Sequence, residues 1–273
     1  MPNNTVRSAV ILARGLGTRM RKEDAGARLT PEQEAVAKVG LKAMISVGRP
    51  FLDYVLSALA DAGFARVCLV IGREHRSVVD YYRTQSPPKR IALEFAIQEK
   101  PLGTANAVLA AEPFCGTEPF IVLNSDNYYP VEALRLLRET APPAIVGFVR
   151  SALIEKGNVP PDRVARFGAL VVDDEGYLVR ITPREGDVVS PNHNEVLSSM
   201  NCWLFDSSIF DACRRVTMSP RNELELPRAV QLGIDTMRMR FKVLRVELPV
   251  LDMSTRSDIA AVEKTLSRLN VLL

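Results

Sequence analysis

At 273 residues, 47% hydrophobic and 25% charged, the chain has the composition of a globular protein large enough for one sizeable α/β domain. A net charge of +3, with both signs mixed along the chain, lacks the basic bias of a nucleic-acid binder, and no apolar run reaches the roughly 18 residues of a membrane span. Four scattered cysteines without C-x-x-C spacing and only two histidines, His75 and His193, argue against disulfides, zinc and Ser-His-Asp chemistry, and leave catalysis to arginine, lysine and carboxylates. The N-terminal stretch MPNNTVRS has no signal-peptide core, which makes the cytoplasm the expected location.

Residues 6–12 (VRSAVIL) form an apolar, β-branched run without sustained alternation, as in a strand buried on both faces of a parallel sheet. A loop with Gly15 and Gly17 follows, carrying Arg14, Arg19, Arg21 and Lys22. Outside the carboxyl end of a strand, backbone N–H groups and arginine forks suit phosphate. The dinucleotide fingerprint needs glycine where Met20 stands, and the P-loop pattern is absent. Residues 21–41 then form an excursion in which Thr30 as N-cap, Pro31, first-turn acids and Gly40 spell a short helix. Both a lid over the loop and a plain surface excursion fit it.

Residues 50–63 read as a helix, 65–72 as a strand, 77–83 as a helix, 91–98 as a strand and 104–112 as a helix. Residues 120–126 (FIVLNSD) are a strand ending in a carboxylate, 131–140 a helix and 144–149 a strand. This alternation predicts an α/β chain with a doubly wound, mostly parallel sheet. Beyond about residue 150 the rhythm changes. A hairpin is expected over 169–183 around Asp174, Glu175 and Gly176, then a long strand over 195–205 and helices over 207–216 and 223–234. A last strand over 242–252 and an amphipathic helix over 255–269 close the chain.

The loop Leu12-Ala13-Arg14-Gly15-Leu16-Gly17-Thr18-Arg19-Met20 resembles the signature of the sugar-1-phosphate nucleotidyltransferases. Further segments are similar to that family in the same order: Lys42 in LKAMISVGRP, Gln98 and the Leu-Gly-Thr-Ala of residues 102–105, Asp126 in LNSD, and Asp252 in PVLDMST. The resemblance implies a GT-A-like, Rossmann-like fold with a smaller β-rich sugar-binding lobe. It divides a single domain, 1–273, into a nucleotide-binding half to about residue 150 and a sugar-binding half after it. It also implies the reaction: a nucleoside triphosphate plus a sugar 1-phosphate gives an NDP-sugar and pyrophosphate.

Carried over residue by residue, Arg19, Lys42 and Arg184 would be the catalytic cations. Leu12, Ala13, Gly15, Gly17, Thr18, Gln98, Gly103 and Thr104 would bind the nucleotide. Gly168 and Asn201 would bind the sugar, and Asp126 and Asp252 would hold Mg²⁺. In the family a glutamine at the place of Gln98 accompanies uracil or thymine, which favours UTP or dTTP. Pro183 and Trp203 stand where the family has glutamate and glycine, which puts a glucose-type pocket in question and admits a cyclitol phosphate. A homo-oligomer is a family-level expectation. A catalytically silent nucleotide-sugar-binding regulator and a GT-A glycosyltransferase remain open alternatives, although Asn124-Ser125-Asp126 is not the D-x-D of the latter.

Overall fold

The computed structural model describes residues 5–182 and 196–273, so Pro183, Arg184 and His193 lie outside the described residues. In chain order the strands are β1 Ser8–Leu12, β2 Arg66–Ile71, β3 Ala92–Ile97, β4 Phe120–Asn124, β5 Asn127–Tyr128, β6 Ala144–Val149, β7 Ala169–Val172, β8 Leu178–Thr182, β9 Leu197–Phe205, β10 Lys242–Val246 and β11 Leu251–Asp252. Every residue of β1 is buried, as its unbroken apolar run requires, because it sits between β4 and β2 at the centre of the sheet. Strand order is β10-β6-β9-β4-β1-β2-β3, with β7 pairing β8 and β9. The pairs around β1, and β6 with β10, are parallel. Only β9 and β8 run against this direction, β7 being antiparallel to both, so the large sheet is mostly parallel.

The helices Phe51–Asp61 and Val131–Arg138 contact each other on one face of the sheet. On the other face Thr104–Ala110, Ile209–Arg215 and Leu226–Met237 pack together. All four cysteines are free and buried, and burial pushes each thiol's pKa up. Among the described residues no helix is long and apolar enough to cross a membrane.

Three departures from the sequence reading have physical causes. The single strand expected over 242–252 is two: β10 continues the large sheet, then the chain breaks around Pro249, which has no N–H to extend a ladder, and β11 pairs with β5 instead. The helix Arg76–Asp80 widens into a π turn over Tyr81–Gln85, which lets the hydroxyls of both Tyr81 and Tyr82 donate to the buried Asp53 at 3.1 and 2.8 Å. The expected hairpin turn begins one residue early, at Asp173, whose carboxylate accepts from Glu175 and Tyr177 N–H.

Strand β9 carries the most consequential irregularity. Ile145 faces Trp203 and Gly147 faces Ser199, so residues 200–202 form a bulge, with Asn201 at φ 55°. Asparagine tolerates that left-handed conformation better than most residues. The bulge re-aims the strand. Trp203 turns into the core, where it stacks on Phe205 and meets Phe241 edge-on. The tryptophan that interrupts the family-like pattern is therefore a packing residue. Trp203→Ala should lower unfolding free energy by about 3–5 kcal/mol, the range for deleting a buried aromatic, measured by urea unfolding.

Candidate active site

The loop after β1 begins where three parallel strands end together. Ala13 N–H donates to the Val70 carbonyl, and the Leu12 carbonyl accepts from Ser125 N–H. Gly17, at φ 61°, faces Gly40 so closely that a Cβ there would lie 2.2 Å from the Gly40 carbonyl oxygen. Gly15 is different: a Cβ on it would meet nothing within 4 Å, so its bare backbone faces open space in a cleft. The loop then turns into the short helix Thr18–Arg21, with Met20 buried and Arg19 exposed.

Two clefts open at the carboxyl ends of these strands. The first, about 250 Å³, is lined by Leu12, Ala13, Gly15, Lys42, Gln98, Gly103 and Thr104. The second, about 470 Å³, is lined by Arg19, Phe167, Asn201 and Asp252 together with Arg163, Arg166 and Arg221. Asn124 and Asp126 belong to both, so the clefts meet at the end of β4. Of the residues expected from sequence, Gly17, Thr18 and Gly168 line neither cleft, and Arg184 is outside the described residues. Gly168 is needed for packing: a Cβ on it would press to 2.7 Å from the Ile181 side chain, and its carbonyl accepts from Ser199 N–H.

In the first cleft, Gln98 is 4% exposed and its amide is held by two bonds from Nε2, to the Gly103 carbonyl at 3.0 Å and to Asn106 Oδ1 at 2.9 Å. With both N–H groups committed, Oε1 remains as an acceptor for a ring N–H. Arg14 spans this wall, donating to the Gln98 carbonyl and to both oxygens of Glu74. Arg14 is thus a bracket between loops. Gly103, at φ 115°, lies against Leu224, and Thr104 Oγ1 accepts from Leu226 N–H at 2.8 Å. That hydroxyl serves the N-terminus of the helix Leu226–Met237.

The two aspartates are brought together by backbone pairing. Asp252 in β11 faces Asn127 in β5, and Met253 N–H donates to the Asp126 carbonyl at 2.8 Å. Lys42 Nζ lies 2.8 Å from Asp126 Oδ2. Asp252 is 4% exposed and accepts from Asn127 Nδ2 (3.1 Å), Ser254 Oγ (3.0 Å) and Arg163 Nη1 (2.8 Å). Burial pushes its carboxyl pKa up and the Asp126 charge adds to this, while Ser254 and Arg163 pull it back. Tyr129, fully buried in the same corner, donates to the Met200 carbonyl at 2.6 Å and so ties the β9 bulge to the strand end that carries Asp126.

Sequence reasoning missed Asn127, Ser254, Arg163 and Arg221. The arginines sit in polar stretches, Pro160-Pro161-Asp162-Arg163 and Ser219-Pro220-Arg221-Asn222, that read as connections, and only the folded chain shows that both face one cleft. The excursion over 21–41 is docked. Thr30 and Gln33 form a reciprocal capping box at the helix Pro31–Val39, Gln33 also donates to the Ser46 carbonyl, and Arg256 binds both oxygens of Glu34 at 3.0 and 2.8 Å and the Met20 carbonyl at 3.0 Å.

The family model described as nucleotidyl transferase matches residues 8–247. A UTP–glucose-1-phosphate uridylyltransferase of Bacillus subtilis is 27% identical, over 83% of this chain and 78% of its own. A glucose-1-phosphate thymidylyltransferase of Streptomyces griseus is 29% identical, over 84% of this chain and 58% of its own. Among solved structures, a UDP-glucose pyrophosphorylase complexed with UDP-glucose superimposes with a TM-score of 0.72 at 17% identity, covering 96% of this chain and 99% of that one. One from Acinetobacter baumannii gives 0.72 at 18% identity, covering 97% and 95%.

Because the Thr104 hydroxyl accepts a bond from a helix N-terminus, Thr104→Val should destabilise the protein by about 1–3 kcal/mol in chemical unfolding, the cost of a buried N–H left without its acceptor.

Proposed function

The chain belongs to the nucleotidyl transferase family, and we propose that it joins UTP or dTTP to a sugar 1-phosphate, giving an NDP-sugar and pyrophosphate. The observation that carries this reading is the meeting of the two clefts at Asp126, one walled by the glycine loop and Gln98, the other by arginines and Asn201. A nucleotide in the first would present its α-phosphate at the junction, next to an acceptor phosphate in the second. Residues up to about 150 supply the nucleotide side, and later residues most of the acceptor side. The uridylyl- and thymidylyltransferases among the relatives support the choice of base. So does the free acceptor on Gln98, which suits the N3–H of uracil or thymine.

In the reaction an oxygen of the acceptor phosphate attacks the α-phosphorus in line. A new O–P bond forms, the bond to the bridging β-phosphate oxygen breaks, and pyrophosphate leaves with the electron pair. The loop N–H groups around Gly15 and the Arg19 guanidinium hold the leaving phosphates. Lys42 steadies the α-phosphate, and Asn201 orients the acceptor's hydroxyls. Arg184 is assigned to the acceptor phosphate by its place in the family-like sequence. No general base is needed, because the nucleophile is already an anion.

Asp126 and Asp252 form a donor set suited to Mg²⁺, two adjacent carboxylates on one cleft wall with phosphate oxygens to complete the shell. Bound there, the metal would supply charge to the α-phosphate as a Lewis acid.

The test is pyrophosphate release with Mg²⁺, crossing ATP, GTP, CTP, UTP and dTTP with a panel of sugar and cyclitol 1-phosphates. Release is expected only with UTP or dTTP and one class of acceptor. Detectable nucleotide binding without release across the panel would overturn the transfer reading in favour of a regulator. Asp252→Asn should lower turnover by at least on the order of a hundredfold, the scale of losing one main electrostatic stabiliser. Near-normal turnover would remove Asp252 from the reacting centre.

A further inference from the structure

Arg163 has an arrangement that the reaction described so far does not use. Its Nη1 lies 2.8 Å from Asp252 Oδ2 and 3.0 Å from Asp258 Oδ2. The two N–H groups on that nitrogen are thereby divided between two carboxylates. The remaining donors of the guanidinium, on Nε and Nη2, have no protein partner among the described residues, and neither nitrogen is sealed from solvent. The side chain, 14% exposed, lines the second cleft with Arg19, Asn201 and Asp252.

The anchor on Asp258 is itself rigid. The same Oδ2 accepts from Ser254 N–H (3.0 Å), Thr255 N–H (2.7 Å) and Thr255 Oγ1 (2.8 Å), which fixes it to the turn that follows Asp252. A guanidinium clamped along one edge and open along the other is preorganised for bidentate recognition of an oxyanion. It also leaves Asp252 partnered by a cation, as Lys42 leaves Asp126.

We propose that Arg163 is a built-in cation of the acceptor cleft, with one edge neutralising Asp252 and the open edge binding the acceptor's phosphate. The proposal deepens the nucleotidyl-transfer reading and rests on it for the identity of the acceptor. It adds a phosphate-binding residue from the connection between β6 and β7, in the same cleft as Arg19. It also sets the order of charge at the centre. Both carboxylates are paired before any phosphate enters, so a divalent ion gains most of its attraction only once the phosphates arrive.

The test compares wild type with Arg163→Met and Arg163→Lys in two binding measurements and one kinetic one. Inorganic phosphate, titrated calorimetrically, should bind Arg163→Met on the order of tenfold to a hundredfold more weakly than wild type, the scale of one hydrogen-bonded charge. Arg163→Lys keeps the charge and loses the fork, and should fall between them. Mn²⁺, followed by electron paramagnetic resonance without nucleotide, should bind Arg163→Met roughly tenfold or more tightly than wild type, because Asp252 then lacks its resident cation. In turnover, KM for the sugar phosphate should rise while KM for the nucleotide stays within about threefold.

Phosphate affinity within about twofold of wild type in a folded Arg163→Met would overturn the proposal. If that variant fails to fold, unchanged phosphate affinity in Arg163→Lys would overturn it equally. A wild-type protein that releases no pyrophosphate from any substrate pair would strike the broader reading, and the phosphate and Mn²⁺ titrations would still decide the role of Arg163.

Discussion

Two carboxylates set side by side in a poorly solvated cleft repel each other, and much of the architecture exists to hold them there. Asp252 has only 6% of its side chain exposed and Asp126 only 24%. Burial, and after it the neighbouring Asp126 charge, disfavours the ionised form of Asp252, so the site calls for compensating cations. The compensation comes from widely separated parts of the chain: Lys42 from the segment before the first long helix, and Arg163 from the connection after β6. The ladder between β5 and β11 is only two residues per strand, yet it fixes both backbones in register. Without it, the end of β4 and the turn before the last helix would have no reason to approach.

The same turn reaches the glycine loop through Arg256. This side chain is 5% exposed and ties the Met20 carbonyl and the Glu34 carboxylate to the residues just beyond Asp252. Arg256 is a short connection between the phosphate loop, the excursion helix Pro31–Val39 and the carboxylate turn. Breaking it would leave a buried guanidinium without its counter-charge, which is far more costly than the pair is stabilising. The excursion is thus better described as a buttress of the loop than as a lid. Its Gly40 completes the contact, because only two glycines allow the backbones at 17 and 40 to touch.

Much of this was legible in the sequence, and for a definite reason. Buried parallel strands leave unbroken apolar runs, and glycine, proline and carboxylates punctuate their ends, so β1, β2 and β4 and the loops that follow them could be read directly. The capping residues of the excursion helix were equally plain. Local spacing could not show where an antiparallel strand inserts into a parallel sheet, or that Pro249 moves the chain from one sheet to another. It also could not show that Trp203 faces the core. The bulge at Asn201 decides that, and it depends on the pairing of β9 with β6, which lies far away in sequence. Arg163 escaped for a similar reason: an arginine in a polar connection has no local signature, and its meaning comes from the carboxylates, Asp252 and Asp258, that folding places opposite it.

The scarcity of histidine fits the proposed chemistry. Where the nucleophile is a phosphate oxygen and the leaving group a pyrophosphate, no proton has to move in the displacement, and a residue that titrates near neutrality has no task. The difficulty is charge, because two polyanions must come into line within a few ångströms. Fixed cations meet that demand best when they are already desolvated and oriented before the substrates bind. Lys42 and Arg163 satisfy both conditions, each held by a carboxylate that an incoming phosphate can relieve or share. Lys42 with Asp126 and Arg163 with Asp252 are thus paired within the protein itself. The entering phosphates then exchange ion pairs that already exist, and the protein need not carry an uncompensated charge through folding.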